Sequence, residues 1–255
     1  MTNMLAQDAF EFYPGTDASG LLLLCDHARN QLPPEYGSLG LAREQFERHI
    51  AYDIGARDLT LGLAKRFGAP ALLTCHSRLL IDPNRGLDDP TLIMKLSDGA
   101  VVPGNAAVDE AERMARIAGY WRPYHDAITQ TLDAMVARGV APVIVSIHSF
   151  TPAWKGVSRP WHVGLLWDSD DRLVRPMLEA LSAMPGLVVG DNEPYHGGLE
   201  GDTMNMHGSK RGIPHVLVEV RQDLLADGAG VGEWADRLAA AIGKAAIGGL
   251  APGGL

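Results

Sequence analysis

The sequence predicts an α/β protein, a three-layer α/β/α sandwich built on a mostly parallel mixed sheet. Short apolar runs, each long enough for one strand, alternate with longer patterns that have helical spacing. Strands separated by helices usually form a parallel sheet covered on both faces. The 255 residues contain neither an internal repeat nor a compositional break. We therefore expect one domain over 1–255, with a core of about 18–246 and a flexible tail at 247–255.

The predicted elements alternate between strand and helix along most of the chain. LLLLC at 21–25 is the first strand, and 41–67 is a helix because its apolar residues recur at helical spacing. The other predicted strands are 71–75, 142–148, 163–167, 187–189 and 215–221. The other predicted helices are 108–138, divided or kinked at Pro123, then about 170–184 and roughly 231–246. The stretch VVPGN at 101–105 is predicted to be a loop.

Charge and composition argue against several classes of function. The net charge is −9, and the basic residues are scattered, so a nucleic-acid partner is disfavoured. Residues 1–20 include three acidic and no basic residues, unlike a secretory signal, and no apolar run approaches the roughly 18 residues of a membrane helix. Glycine-rich nucleotide-binding motifs are absent from the sequence. We expect a cytoplasmic protein with no membrane partner, and the sequence leaves a homo-oligomer open.

Polar side chains that can carry chemistry stand where four predicted strands end. Asp26 and His27 follow the first strand, and the stretch 76–85 follows the second. His148 ends the strand 142–148, and Glu219 lies within 215–221. In open α/β sheets, ligands bind beyond the carboxyl ends of the strands. We therefore expect these side chains to converge on one site.

His27, Asp53 and His148 are the predicted metal ligands. A mononuclear zinc site takes three protein ligands from His, Asp and Glu and leaves one position open for water. His49 competes with Asp53 as the third ligand, because the two are four residues apart and would share one face of the predicted helix. We expect Zn²⁺ as the cofactor, with another divalent metal as the alternative.

Glu219 is the predicted general base, which takes a proton from the attacking water and delivers it to the leaving amine. A carboxylate inside an apolar strand is costly unless it is paired or serves a function. Arg221 points to the same side of the strand, so a structural ion pair with Glu219 is the alternative. Arg78 is predicted to stabilise the oxyanion or to hold the substrate.

Asn84 and Arg85 are predicted to bind a substrate carboxylate, because a guanidinium matches a carboxylate bidentately. Asp82 would hold one of the neighbouring arginines, and the alternative is a salt-bridged loop with no ligand. The remaining residues predicted to bind substrate are Arg221, His207 and Tyr195. The residues predicted to support the site from behind are Asp26, His49 and Asp82.

Several stretches together resemble the N-formylglutamate amidohydrolases, in particular the branch of predicted members of that family. They are CDHARNQLPPEYGSLGL (25–41), HIAYDIGA (49–56), SRLLIDPNR (77–85), SIHS (146–149), PYHGG (194–198), MHG (206–208) and LVEVRQDL (217–224). That family resembles zinc carboxypeptidases and the aspartoacylase group, in which an Asn-Arg pair grips a carboxylate, as Asn84-Arg85 would. The resemblance implies a phosphorylase/hydrolase-like, zinc-exopeptidase-like fold. It also implies hydrolysis of the N-formyl or another N-acyl amide of an acidic amino acid such as N-formylglutamate.

One position departs from the carboxypeptidase pattern. Those enzymes carry His-x-x-Glu after the first strand, whereas the fourth position here is Asn30, a poor zinc ligand. The acidic ligand must therefore be Asp53 or Asp26, and Asp26 otherwise orients the histidine from behind. Two alternative functions stay open. One is hydrolysis of peptide or cell-wall amides by the same metal centre, and the other is binding of an acidic ligand without catalysis.

Overall fold

A computed structural model of the chain describes residues 9–16 and 19–245, so the predicted tail at 247–255 lies outside the described residues. Its centre is a seven-stranded sheet. In chain order the strands are β1 (Phe10–Tyr13), β2 (Leu21–Cys25), β3 (Ala71–Thr74), β4 (Val143–Phe150), β5 (Val163–Leu166), β6 (Val189–Asp191) and β7 (His215–Arg221). Across the sheet they lie in the order β1-β3-β2-β4-β7-β5-β6. The central strands β3, β2, β4 and β7 are mutually parallel, whereas β1 and β5 run antiparallel to their central neighbours.

Helices flank this sheet. They are α1 (Ala56–Phe67), α2 (Pro103–Ala106), α3 (Glu110–Arg116), α4 (Arg122–Ala137), α5 (Val174–Ser182), α6 (Thr203–His207) and α7 (Gly228–Lys244). Single 3₁₀ turns cover Pro34–Tyr36, Arg43–Glu47, Ser209–Arg211 and Gln222–Leu225, and a π-helical turn covers Ile117–Trp121. Two small hairpins pair Leu96–Ser97 with Ala100–Val101 and Ala153–Trp154 with Val157–Ser158. Within the ranges 9–16 and 19–245, every helix is too short or too polar to cross a membrane.

The leucine run of β2 explains why the sheet lies between two helical layers. Leu21 and Leu23 belong to the core that contains apolar residues of α1, α5 and α7. Leu22 and Leu24 belong to the opposite core, against α4. Successive side chains of a strand alternate between faces, so four consecutive leucines bury into both layers, and all four are fully buried. The predicted α/β fold, a mostly parallel mixed sheet with helices on both sides, is confirmed.

The prediction of a helix over 41–67 is wrong for its first half, because α1 begins only at Ala56. Gly55 precedes it with φ +80°, and a Cβ there would lie 2.4 Å from Cβ of Leu225. The left-handed backbone and the close approach require glycine at this position. They also prevent the helix from extending further toward the N-terminus. His49 and Asp53 therefore lie in an irregular loop and do not share a helix face. The amide of Asp53 donates to the carbonyl of His27 at 3.0 Å, which fixes this loop beside the end of β2.

The other predicted elements agree with the structure to within a few residues. Pro123 lies at the second position of α4, just after the π-helical turn, and the flanking residues Arg116, Trp121 and Arg122 all keep right-handed helical backbone angles. The predicted division or kink at Pro123 therefore takes the form of a π-helical turn within a continuous helical stretch, over Ile117–Trp121. The stretch 101–105 is more ordered than predicted, because Val101 closes a hairpin and α2 starts at Pro103.

Candidate functional site

The parallel centre of the sheet brings the three predicted metal ligands together. His27 lies just beyond β2, His148 lies on β4, and Asp53 lies in the loop before α1. Each offers one ligand atom, and these atoms all lie within 4.8 Å of one another. All three residues are buried. The group could hold a metal ion.

Asp53 connects the two histidines. Its Oδ2 accepts a hydrogen bond from Nδ1 of His148 at 2.8 Å and lies 3.3 Å from Nδ1 of His27. Burial acts to raise the pKa of Asp53, but the two imidazoles outweigh it and lower that pKa far below its usual range. Asp53 is therefore an anion at any ordinary pH. Two imidazole nitrogens and a carboxylate oxygen form a donor set that suits Zn²⁺.

Two further buried carboxylates hold the other edge of each imidazole. Oδ1 of Asp82 accepts from Nε2 of His27 at 2.8 Å, and Oδ2 of Asp26 accepts from Nε2 of His148 at 2.9 Å. Metal-binding histidines commonly donate their second nitrogen in this way, which fixes the ring. Burial opposes a charge on His148, yet its bonds to Asp26 and Asp53 raise its pKa well above the ordinary value. Asp26 thus orients His148, and Asp82 orients the neighbouring His27.

The alternative third ligands lie elsewhere. His49 lies on the wall of a cavity beside the three candidate ligands, and its Nε2 is 3.5 Å from Oδ2 of Asp98. Asn30, which replaces the glutamate of the carboxypeptidase pattern, donates from Nδ2 to the carbonyl of Phe46 at 2.9 Å. The acid that contacts both histidines through Nδ1 is Asp53, so the change at position 30 leaves the donor set complete.

A cavity of about 290 Å³ opens beside the three ligands. Besides His49, the other predicted site residues on its wall are Arg78, Asn84, Arg85, Tyr195 and Glu219. Arg78 donates to Oδ2 of Asp82 from Nη2 at 2.6 Å and from Nε at 3.1 Å, and its Nη1 lies 3.7 Å from Oδ1 of Asp53. These bonds fix one guanidinium at the edge of the candidate metal centre.

Glu219 faces the cavity from β7, directly opposite His148 on β4. The residue is buried, and its Oε2 has no hydrogen-bond partner in the described part of the chain. Burial and the charge of Asp53 raise the pKa of Glu219 to about 8. Arg221 binds Asp223 instead, at 2.8 Å, so the ion pair with Glu219 does not form. A carboxyl group with a raised pKa and a free oxygen can accept and release a proton near neutral pH.

Arg221 and His207 are the two predicted substrate-binding residues that the structure does not bring to the cavity wall. His207 stacks on His125 with ring centroids 5.2 Å apart, and its Nε2 lies 2.9 Å from Nδ1 of His125. Nε2 of His125 in turn donates to the carbonyl of Pro83 at 2.9 Å. The direction of α6 buries His207 against α4. The glycine-rich sequence around His207 does not predict this burial.

This histidine pair predicts a loss of stability in acid. Burial lowers the pKa of His125 to about 4 and that of His207 to about 3, below the value of 6.5 for a free imidazole. Below pH 6.5 the unfolded chain takes up protons that the folded protein does not, so the free energy of unfolding falls as pH decreases. We expect His207→Gln to reduce this slope by about 1.4 kcal/mol per pH unit between about pH 6 and 4.5. Urea unfolding across that range measures the slope. The exposed His196→Gln serves as control, and equal slopes in both variants would contradict the prediction.

Three further donors complete the surroundings of Asp26. Ser146 Oγ, Tyr124 OH and Thr203 Oγ1 donate to its carboxylate at 3.0, 2.9 and 3.0 Å. Ser146 stands two residues before His148 and on the same side of the strand, so the period of a β-strand could have identified it. No local pattern in the sequence points to Tyr124 or Thr203.

The family and the fold of this chain are matched by known proteins. A family model described as N-formylglutamate amidohydrolase matches residues 19–226. A solved structure of a gene product of Agrobacterium tumefaciens is 33% identical, covers 94% of this chain and 95% of its own, and has a TM-score of 0.90. The structure of N-formylglutamate amidohydrolase from Ralstonia eutropha JMP134 is 22% identical, and the match covers 93% of this chain and 97% of that protein's chain. Its TM-score of 0.64 shows that the two proteins share a fold. None of the curated proteins matches the sequence.

Proposed function

This chain belongs to the N-formylglutamate amidohydrolase family, whose members hydrolyse amide bonds, and we propose that it is a metal-dependent hydrolase of the N-formyl or another N-acyl amide of an acidic amino acid such as N-formylglutamate. The observation that carries the proposal is that a His-Asp-His donor set meets Glu219 at one cavity, and that Oε2 of Glu219 has no hydrogen-bond partner among the described residues.

His27, Asp53 and His148 would hold the metal, for which we propose Zn²⁺. A divalent metal bound there would lower the pKa of a water molecule and polarise the amide carbonyl. Glu219 accepts the proton of the attacking water at Oε2 and passes it to the departing nitrogen. The guanidinium of Arg78, fixed by Asp82, stabilises the negative charge that develops on the carbonyl oxygen.

Asn84 and Arg85, called the clamp below, would bind the substrate carboxylate. Oδ1 of Asn84 accepts a hydrogen bond from the backbone amide of Thr203 at 3.1 Å, which leaves its Nδ2 to donate to a ligand. Arg85 donates from Nη1 to the carbonyl of Asn84 at 2.7 Å and from Nε to Oγ1 of Thr91 at 3.1 Å. These bonds hold the guanidinium beside the amide, so both can donate to one carboxylate.

The size of the cavity favours a small substrate. Its 290 Å³ lies just below the roughly 300–1,000 Å³ that ligand pockets occupy. One acylated amino acid is a better match to that space than a segment of cell-wall polymer. The test is hydrolysis by the Zn²⁺-loaded protein of N-formylglutamate, N-acetylglutamate and a muropeptide, followed as released amine. Hydrolysis of the muropeptide alone would overturn the proposed substrate class.

Arg85→Met tests the clamp. We expect KM for N-formylglutamate to rise about tenfold or more with a smaller change in kcat, because a hydrogen bond to a charged group contributes about 1.5–3 kcal/mol. Arg175→Met removes an exposed guanidinium that pairs with Asp171, and it should leave KM unchanged. An unchanged KM in Arg85→Met would show that the carboxylate binds elsewhere.

A further inference from the structure

The candidate metal centre is connected to the clamp on the side of His27. Nε2 of His27 bonds to Oδ1 of Asp82 at 2.8 Å, and the backbone amide of Asn84 donates to the same oxygen at 2.9 Å. Asp82 therefore orients a metal ligand and the main chain of the clamp with a single carboxylate oxygen. This connection runs within one loop, because Asp82 and Asn84 are two residues apart.

A second connection starts from His148 and passes through a residue of distant sequence. Nε2 of His148 bonds to Oδ2 of Asp26 at 2.9 Å, and Oγ1 of Thr203 donates to Oδ1 of Asp26 at 3.0 Å. The backbone amide of Thr203 then donates to Oδ1 of Asn84 at 3.1 Å. Because Oδ2 of Asp53 contacts Nδ1 of both histidines, the two connections close a ring of polar contacts around the site.

Thr203 serves the two halves of the site with one side-chain bond and one main-chain bond. Its Oγ1 serves the metal side, and its amide serves the clamp. Thr203 is fully buried and opens α6, with Asp202 capping the helix through a bond to the amide of Asn205 at 2.7 Å. A β-branched side chain has little rotamer freedom, so a shift of either bond moves the other.

We propose that Thr203 is a positioning residue that keeps the clamp in register with the metal centre, so that the substrate carboxylate and the metal ligand His148 are placed by one buried residue. The inference rests on the proposed function, because it takes a metal at the His-Asp-His group and a carboxylate at the clamp.

Thr203→Val is the first test, because it removes the hydroxyl and keeps the shape and the backbone amide. We expect the dissociation constant for Zn²⁺, measured by competition with a chelator, to rise about tenfold or more. At saturating Zn²⁺ we also expect KM for N-formylglutamate to rise about fivefold, because the amide that orients Asn84 is no longer anchored. Thr203→Ser keeps the hydroxyl and should restore both constants to within about threefold of wild type.

Tyr124→Phe is the matched control. The Tyr124 hydroxyl donates to Oδ1 of Asp26 at 2.9 Å, the same oxygen that Thr203 contacts, but Tyr124 has no hydrogen bond to Asn84. Its loss should weaken Zn²⁺ binding and leave KM unchanged. If Thr203→Val alters only one of the two constants, or if Tyr124→Phe raises KM equally, or if Thr203→Ser restores nothing, the proposed link is wrong.

Failure of the proposed function would look different. A wild-type protein that binds no Zn²⁺, or that binds it and hydrolyses no N-acyl amino acid, would overturn the function itself. A wild-type protein that does both, with a Thr203→Val variant that matches it in Zn²⁺ affinity and KM, would overturn only the role of Thr203.

Discussion

Replacing Glu219 by glutamine should lower kcat for amide hydrolysis by about 10²–10⁴-fold, the usual contribution of a positioned general acid and base. The carboxyl group is buried, its Oε2 is unpartnered among the described residues, and it faces the cavity beside His148. An amide of the same shape cannot accept the proton of water. Because Glu219 is not one of the three grouped ligands, Zn²⁺ binding should persist. Steady-state kinetics and metal content of the same preparation measure the two effects.

Glu200→Gln is the matched control for this change. Glu200 is exposed, and its Oε1 lies 3.9 Å from Nζ of Lys210. The same loss of one carboxylate there should leave kcat within about twofold of wild type, since surface ion pairs contribute little. If Glu219→Gln kept more than about a tenth of wild-type kcat with Zn²⁺ bound, another group would have to carry the proton.

The sequence located the strand-end residues well, because the topology of a parallel sheet constrains them. His27, His148 and Glu219 were predicted to converge from the rule that functional groups lie at the carboxyl ends of strands. The structure places them around one cavity. That inference needs only the order of strands and helices, which the alternation of apolar runs supplies.

Asp53 shows the limit of local patterns. The spacing of His49 and Asp53 suggested one helix face, but both lie in a loop that ends at Gly55. Asp53 reaches the histidines because its amide bonds to the carbonyl of His27, a contact across 26 residues. Helical periodicity carries no information about such a contact. It also could not separate Asp53 from His49, because both residues are able to bind metal.

The residues behind the ligands were harder still to predict. Tyr124 and Thr203 contact Asp26 across 98 and 177 positions of sequence. Neither residue type is unusual where it occurs in its helix. Only the packing of α4 and α6 against the sheet brings the two hydroxyls to one buried carboxylate. For the same reason, the burial of His207 against His125 could not be read from the glycines near it.

Metal removal should abolish hydrolysis of N-formylglutamate, and added Zn²⁺ should restore it.

Asp53→Asn should weaken Zn²⁺ binding by more than about 100-fold, because the substitution removes the one anionic donor of the three. A residue that only orients a ligand contributes about 10–100-fold to the affinity for Zn²⁺. Asp82→Asn provides that smaller effect, since Asp82 contacts Nε2 of His27 and is not one of the grouped ligands. Chelator competition should therefore rank wild type above Asp82→Asn, and Asp82→Asn above Asp53→Asn. Asp98→Asn, a half-buried partner of His49 and Arg48, should bind Zn²⁺ like wild type. Full activity in protein depleted of metal would contradict the metal dependence. Tighter Zn²⁺ binding by Asp53→Asn than by Asp82→Asn would contradict Asp53 as the acidic ligand.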